Sequence, residues 1–197
     1  MLKINLLYPL AVSSLLLFSA CFNEVAYDKI GKDIIPSSES GESEKEAKTL
    51  EGQLIDSAVE GVKYETDSGE TGYTDEHGTF SYSETDKTIT FKAGSLVIAN
   101  DFTLSKLNSD SQILPSDIAG VDRNNTTDEK VVKLLRVLQS LDNDNNASNG
   151  IHIDDNTKGY LSEEINIIDA NISTLKIVVE KAQKKLISQK QSRIHYV

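Results

Sequence analysis

Scarcities define this chain before any motif does. Its 197 residues include one cysteine, one methionine, three prolines, three histidines and no tryptophan. A single cysteine allows no intramolecular disulfide, so stability must come from a core or from a bound ion. The 6% aromatic content implies a modest core. The histidines, His77, His152 and His195, stand far apart, and none has a ligand partner at helical spacing, which argues against zinc. There is no His-Glu-x-x-His helix, no Gly-x-Ser-x-Gly elbow and no phosphate loop, so an enzyme is not expected. Basic residues are also short, with 20 Lys and Arg against 31 Asp and Glu. Such an acidic balance excludes a nucleic-acid partner and an anionic membrane surface bound through the protein itself.

What is present begins at the N-terminus. Lys3 supplies a positive region, Leu6 to Phe18 is almost unbroken apolar sequence, and Ser19-Ala20 are small residues before Cys21. The run is shorter than the ~20 residues of a spanning helix. Leu17-Phe18-Ser19-Ala20-Cys21 resembles a bacterial lipobox, with Phe18 where the family usually has Leu. The resemblance implies that residues 1–20 are a signal peptide cleaved before Cys21, which then becomes the lipidation site. Two or three acyl chains, palmitate among them, would hold the protein at a membrane where one chain would not. Phe22 rather than Asp follows the cysteine, and in Gram-negative lipoproteins that resemblance implies export to the outer membrane of the cell envelope.

Removing residues 1–20 removes one lysine and no acid, which leaves 19 basic and 31 acidic residues and a net charge of −12. Residues 21–49 read as a disordered tether. Ser37 to Glu46 contains no apolar side chain, too little to offset chain entropy.

Residues 50–125 read as a β-sandwich domain. Short alternating runs at Gln53–Val59, Gly61–Thr66, Thr79–Tyr82, Thr88–Phe91 and Leu96–Ile98 are separated by Asp- and Gly-containing turns. Phe80, Tyr82, Ile89 and Phe91 are the expected apolar contacts. Gly52-x-Leu54-x-Asp56-Ser57-Ala58-Val59-x-Gly61-Val62, followed by Gly72-x-Thr74-Asp75-x-x-Gly78-x-Phe80-x-Tyr82, resembles the carboxypeptidase regulatory-like, transthyretin-like sandwich of secreted bacterial proteins. That resemblance implies a structural or binding module and brings no catalytic residues.

Residues 126–160 hold a helix and an acidic loop. The spacing predicts a helix over 127–141, opened by a Thr126–Glu129 capping box, with Val131, Leu134, Leu135, Leu138 and Leu141 on one stripe and Arg136 and Gln139 off it. Residues 161–197 are expected to form a C-terminal amphipathic helix, spanning 162–188 with Ser162 as its cap. Ile165, Ile168, Ile172, Leu175, Val179, Ala182 and Leu186 fit a heptad seam that would dock on the domain or meet a partner helix. The expected fold class is therefore α+β: a small antiparallel β-sandwich followed by two helices, after a lipoprotein signal and a disordered tether.

Between the helices, Asp142, Asp144, Asn146 and Ser148 alternate, so one loop can turn their oxygens inward. Calcium takes about six to eight hard oxygen ligands, and such a string provides several. Asp-x-Asp-x-Asn resembles the first half of an EF-hand or dockerin-type calcium loop. Ala147 and Ile153 replace the family's sixth-position Gly and twelfth-position Glu, so a complete EF-hand is not expected. Asp154 or Asp155 would close the shell. The alternative is an Asn/Asp turn capping the helix. The run from Arg136 to Ile151 also resembles a segment of exported bacterial surface proteins. The expected function is a non-enzymatic surface lipoprotein, an adhesion or ligand-binding module for protein or glycan with a calcium-stiffened loop. The alternatives are a structural envelope protein and a remnant of a larger secreted hydrolase or adhesin.

Overall fold

The computed structural model describes residues 47–193, with burial alternating along Lys63–Thr66 and Thr88–Ala93. The signal segment, Cys21 and nearly all of the tether lie outside the described residues. The first β-region contains β1 (Thr49–Leu54), β2 (Val59–Glu60), β3 (Lys63–Thr66), β4 (Thr71–Tyr73), β5 (Thr79–Ser83), β6 (Thr88–Ala93), β7 (Leu96–Thr103) and β8 (Gln112–Ile113). Helices α1 (Pro115–Ala119) and α2 (Glu129–Leu141) follow, then β9 (Ile151–His152), α3 (Asp155–Tyr160), β10 (Ile165–Asn166), α4 (Ile172–Lys181) and α5 (Gln189–Ser192). The class is α+β, a sandwich-like region and then helices.

One sheet runs β5-β1-β8 and a second runs β10-β7-β6-β3-β4. The meander β4-β3-β6-β7 and the β1–β5 pair are antiparallel. The late arrivals are not: β8, β9 and β10 add in parallel to β1, β2 and β7 respectively. The purely antiparallel expectation thus holds for the meander and for β1–β5, and fails where a strand returns from a helix or long loop, since only crossover connections produce parallel pairs.

Phe80 links the two sheets. Its ring lies over Gly52, its register partner on β1, where an added Cβ would sit 2.4 Å from Phe80 Cζ. It also meets Phe91 of β6 edge-on, with centroids 5.0 Å apart. Phe80, Ile89 and Phe91 are buried, and Tyr82 is half-buried against the same core. Gly94 turns the β6–β7 hairpin at φ 57, where Lys158 and Leu161 carbonyl oxygens leave no room for a side chain.

The segment 106–125 contains β8 and α1. Pro115 starts α1, where its missing N–H costs nothing. Arg123 fastens the segment by donating to Asp110, Asp117 and the Gln112 carbonyl. Helix α2 is capped by Asp128, which accepts from Lys130 and Val131, and not by Thr126. Its stripe of Val131, Leu134, Leu135, Leu138 and Leu141 is buried as the spacing predicts.

The C-terminal segment departs most from expectation. The helix is ten residues, not 162–188. Before it, Ile165 and Asn166 pair with the edge of β7, and Asn171, not Ser162, caps the start by accepting from Thr174 N. After it, Gln183 takes φ 58, while Lys184 N donates to Val179 O and Gln183 N to Glu180 O. These are the two bonds of a Schellman stop, with glutamine where glycine is usual. The heptad seam is therefore divided among a strand, a turn, a helix and an extended segment. Leu175, Val179 and Ala182 face their own core.

Candidate functional site

Helix α2 ends at Asp142, and the chain then turns through 143–150 to reach β9, which pairs with β2. Asp142 is nearly inaccessible, at 1% exposure. Its Oδ2 accepts from Asn146 N at 2.7 Å and its Oδ1 from His152 N at 3.0 Å, so one carboxyl ties both ends of the loop. Asp144 Oδ1 accepts from the same Asn146 N–H, and its Oδ2 accepts from the Asn149 amide. Ser148 Oγ donates to Asn146 Oδ1. Asn145 sits at φ 60, a turn conformation that asparagine tolerates.

Burial pushes the Asp142 carboxyl up, and its neighbour Asp144 adds to the effect. Asp144 is held below the usual carboxylate range, first by the Asn149 amide and then by Asn146 N–H. Opposite shifts are what two adjoining carboxyls produce when one is buried and the other is exposed to donors.

The loop therefore brings Asp142, Asp144, Asn146 and Ser148 into one hydrogen-bonded turn. Asp154 serves elsewhere: its Oδ1 caps α3 by accepting from Thr157 N at 2.7 Å. Asp155 pairs with Lys158 on the same helix. No group of three or more His, Cys, Asp or Glu side chains within reach of one ion is present among the described residues.

A cleft of about 240 Å³ opens beside the turn. It is lined by Asp142 and Asp144 together with Glu60, Glu76, Asn149 and His152. Glu60 on β2 accepts from His152 Nδ1 on β9 at 2.6 Å, across the parallel pair. Sequence spacing missed Glu60, Glu76 and His152 because they come from three separate segments. Only the alternation of acidic residues in the loop was visible locally.

Lys184 supplies a cation to this end of α2. Its Nζ donates to Asp142 O at 2.8 Å and to Asn143 O at 3.2 Å. An ammonium there offsets the negative end of the helix dipole. Elsewhere on the surface, Tyr73 of edge strand β4 is 61% exposed, with Lys158 Nζ 4.8 Å from its ring centre. No described helix is long and apolar enough to cross a membrane.

No family model matches the chain, and no curated protein or solved structure matches it either.

Proposed function

We propose that the chain is a non-enzymatic surface lipoprotein, an adhesion or ligand-binding module whose acidic loop takes up calcium. The observation that carries the reading is the cleft, where Asp142 and Asp144 are joined by Glu60 and Glu76, with no lysine or arginine among the described lining residues. Asp142, Asp144 and Asn146 offer the primary oxygens, and Ser148 is next to them. Asp154, occupied as a cap, is the weakest member. The proposed sandwich remains of the carboxypeptidase regulatory-like type, with Tyr73 as an exposed contact for a protein or glycan. A partner-helix role is less well supported, because the seam residues Leu175, Val179 and Ala182 are buried.

Few charged ligands imply weak affinity, on the order of 10⁻⁴–10⁻³ M, as in extracellular calcium modules. At calcium ten times its dissociation constant, linkage adds about 1.4 kcal/mol. For a domain of this size that raises the melting temperature by about 3–6 °C. Asp142→Asn with Asp144→Asn keeps acceptors for Asn146 N and His152 N while removing both charges. The double variant is expected to fold and to lose the calcium response. A melt that calcium leaves unchanged in the parent rejects the loop as a metal site.

The lipid anchor rests on the Leu17–Cys21 motif. Cys21→Ser is expected to accumulate as unprocessed precursor or to leave the membrane fraction, since acylation supplies the attachment. Normal processing with retention in the membrane would contradict the lipobox.

A further inference from the structure

We propose that residues 183–193 are a proton-operated strap, closed over the buried side chain of Asp56 while that carboxyl is neutral and released as it ionises. The strap begins where Gln183, at φ 58, stops α4. From there it crosses α2 with few apolar anchors, Leu186 being only half-buried. Polar side chains of α2 hold it. Arg136 Nε donates to Ile187 O at 2.7 Å, Ser140 Oγ accepts from Ile187 N at 2.9 Å, and Gln139 Nε2 donates to Ser192 O at 3.1 Å. A segment fixed by hydrogen bonds rather than by apolar burial belongs to the low end of local stability.

Beneath it, Asp56 is 4% exposed. Among the described residues both of its oxygens depend on one donor, Gln139 Nε2, at 3.2 and 3.1 Å. A buried carboxylate with a single neutral donor is poorly compensated. Gln139 Oε1 is also buried and has no partner among the described residues. The cluster is thus one donor short, and a proton on Asp56 is a donor. The charged side chains of α2 are Glu129, Lys130, Lys133 and Arg136, the last spent on Ile187 O, and those of the strap are Lys184, Lys185, Lys190 and Arg193; none of them is among the influences on Asp56. Burial is the largest influence on Asp56 and the Gln139 amide opposes it, with the carboxyl pushed up to about 7.

The sign follows from linkage. With the strap closed, Asp56 binds its proton more tightly than it does once solvated. Raising pH from the ordinary carboxylate value of 3.8 towards about 7 therefore favours opening, by up to about tenfold per pH unit, and then levels off. Opening also withdraws Lys184 from Asp142 O and Asn143 O. If the acidic loop binds calcium as proposed above, calcium and strap opening then favour each other, a consequence that rests on that reading.

Amide hydrogen exchange of the full chain between pH 4 and pH 8, corrected for intrinsic rates, tests the strap. Protection of the Ile187 and Ser192 amides is expected to fall with rising pH, while amides of β7 hold theirs. Asp56→Asn is expected to flatten that dependence. A flat profile in the parent, or an unchanged slope in the variant, overturns the proposal. Should the variant not fold, the carboxyl carbon shift of Asp56 in the parent decides. A midpoint near neutrality that tracks strap exchange supports the strap, and one in the ordinary carboxylate range overturns it. Calcium chloride added at pH 6 separates the two readings. Lower Ile187 protection supports the coupling, whereas no calcium effect alongside an intact pH profile rejects the loop and leaves the strap standing.

Discussion

Phe80→Ala is expected to cost about 3–5 kcal/mol, the range for deleting a large buried aromatic side chain. The ring is 1% exposed and spans the space between the sheets, touching Gly52 on one side and Phe91 on the other. Gly52 has no side chain with which to fill the void, and Phe91 would lose its edge-on partner. Tyr64 and Tyr82, with centroids 6.1 and 5.9 Å from Phe80, would lose contact as well. For a domain of this size the melting temperature should fall by roughly 6–20 °C. Phe80→Leu, which keeps most of the apolar volume, should cost clearly less. A melt within a degree or two of the parent for Phe80→Ala would mean that the sheets are not joined through this ring.

Asp56→Asn is expected to stabilise the fold at pH 8 and to change it little near pH 4. The folded carboxyl sits at about 7 against an ordinary 3.8, so it holds its proton more tightly folded than unfolded. Stability is then full below the ordinary value, erodes as pH rises through the gap and levels off above about 7. A gap of about three units corresponds to at most about 4 kcal/mol. Opening the strap limits that cost, because it solvates Asp56 without unfolding the core. The asparagine side chain carries no charge and brings a donor to a cluster that lacks one. Asp67, Asp75, Asp110 and Asp154 are held below the ordinary range, so their contributions are lost only as pH falls through still lower values. Parent and variant share them, so they cancel from a comparison of the two proteins at pH 4 and pH 8. Urea midpoints of parent and variant check the sign, and equal slopes with pH in the two proteins would contradict it.

What the sequence revealed was whatever a short window contains. Alternation placed Phe80, Ile89 and Phe91 inside, and the 3.6-residue period placed Val131, Leu134, Leu135, Leu138 and Leu141 on the buried face of α2. Long-range closure was invisible. Gln139 stands off the apolar stripe, yet it is 5% exposed, because the strap returns over it and Asp56 lies below. The seam from Ile165 to Leu186 has helical spacing, but strand pairing of Ile165–Asn166 with β7 and the Schellman stop at Gln183 divide it. Both are tertiary or capping choices that periodicity cannot weigh. At the acidic loop, alternation brought Asp142 and Asp144 into one turn, while Asp154 went to cap α3. Glu60, Glu76 and His152 join the cleft through strand pairing and a hairpin turn, for which no local spacing exists.

Calcium held in the turn after α2 is tested most directly by amide chemical shifts under calcium titration, because Asn146 N and His152 N both donate to Asp142. Saturable shifts of these two amides are expected, with a midpoint on the order of 10⁻⁴–10⁻³ M, absent from the Asp142→Asn, Asp144→Asn protein. Shifts that are missing at millimolar calcium, or that persist in the double variant, would contradict a calcium ion in this turn.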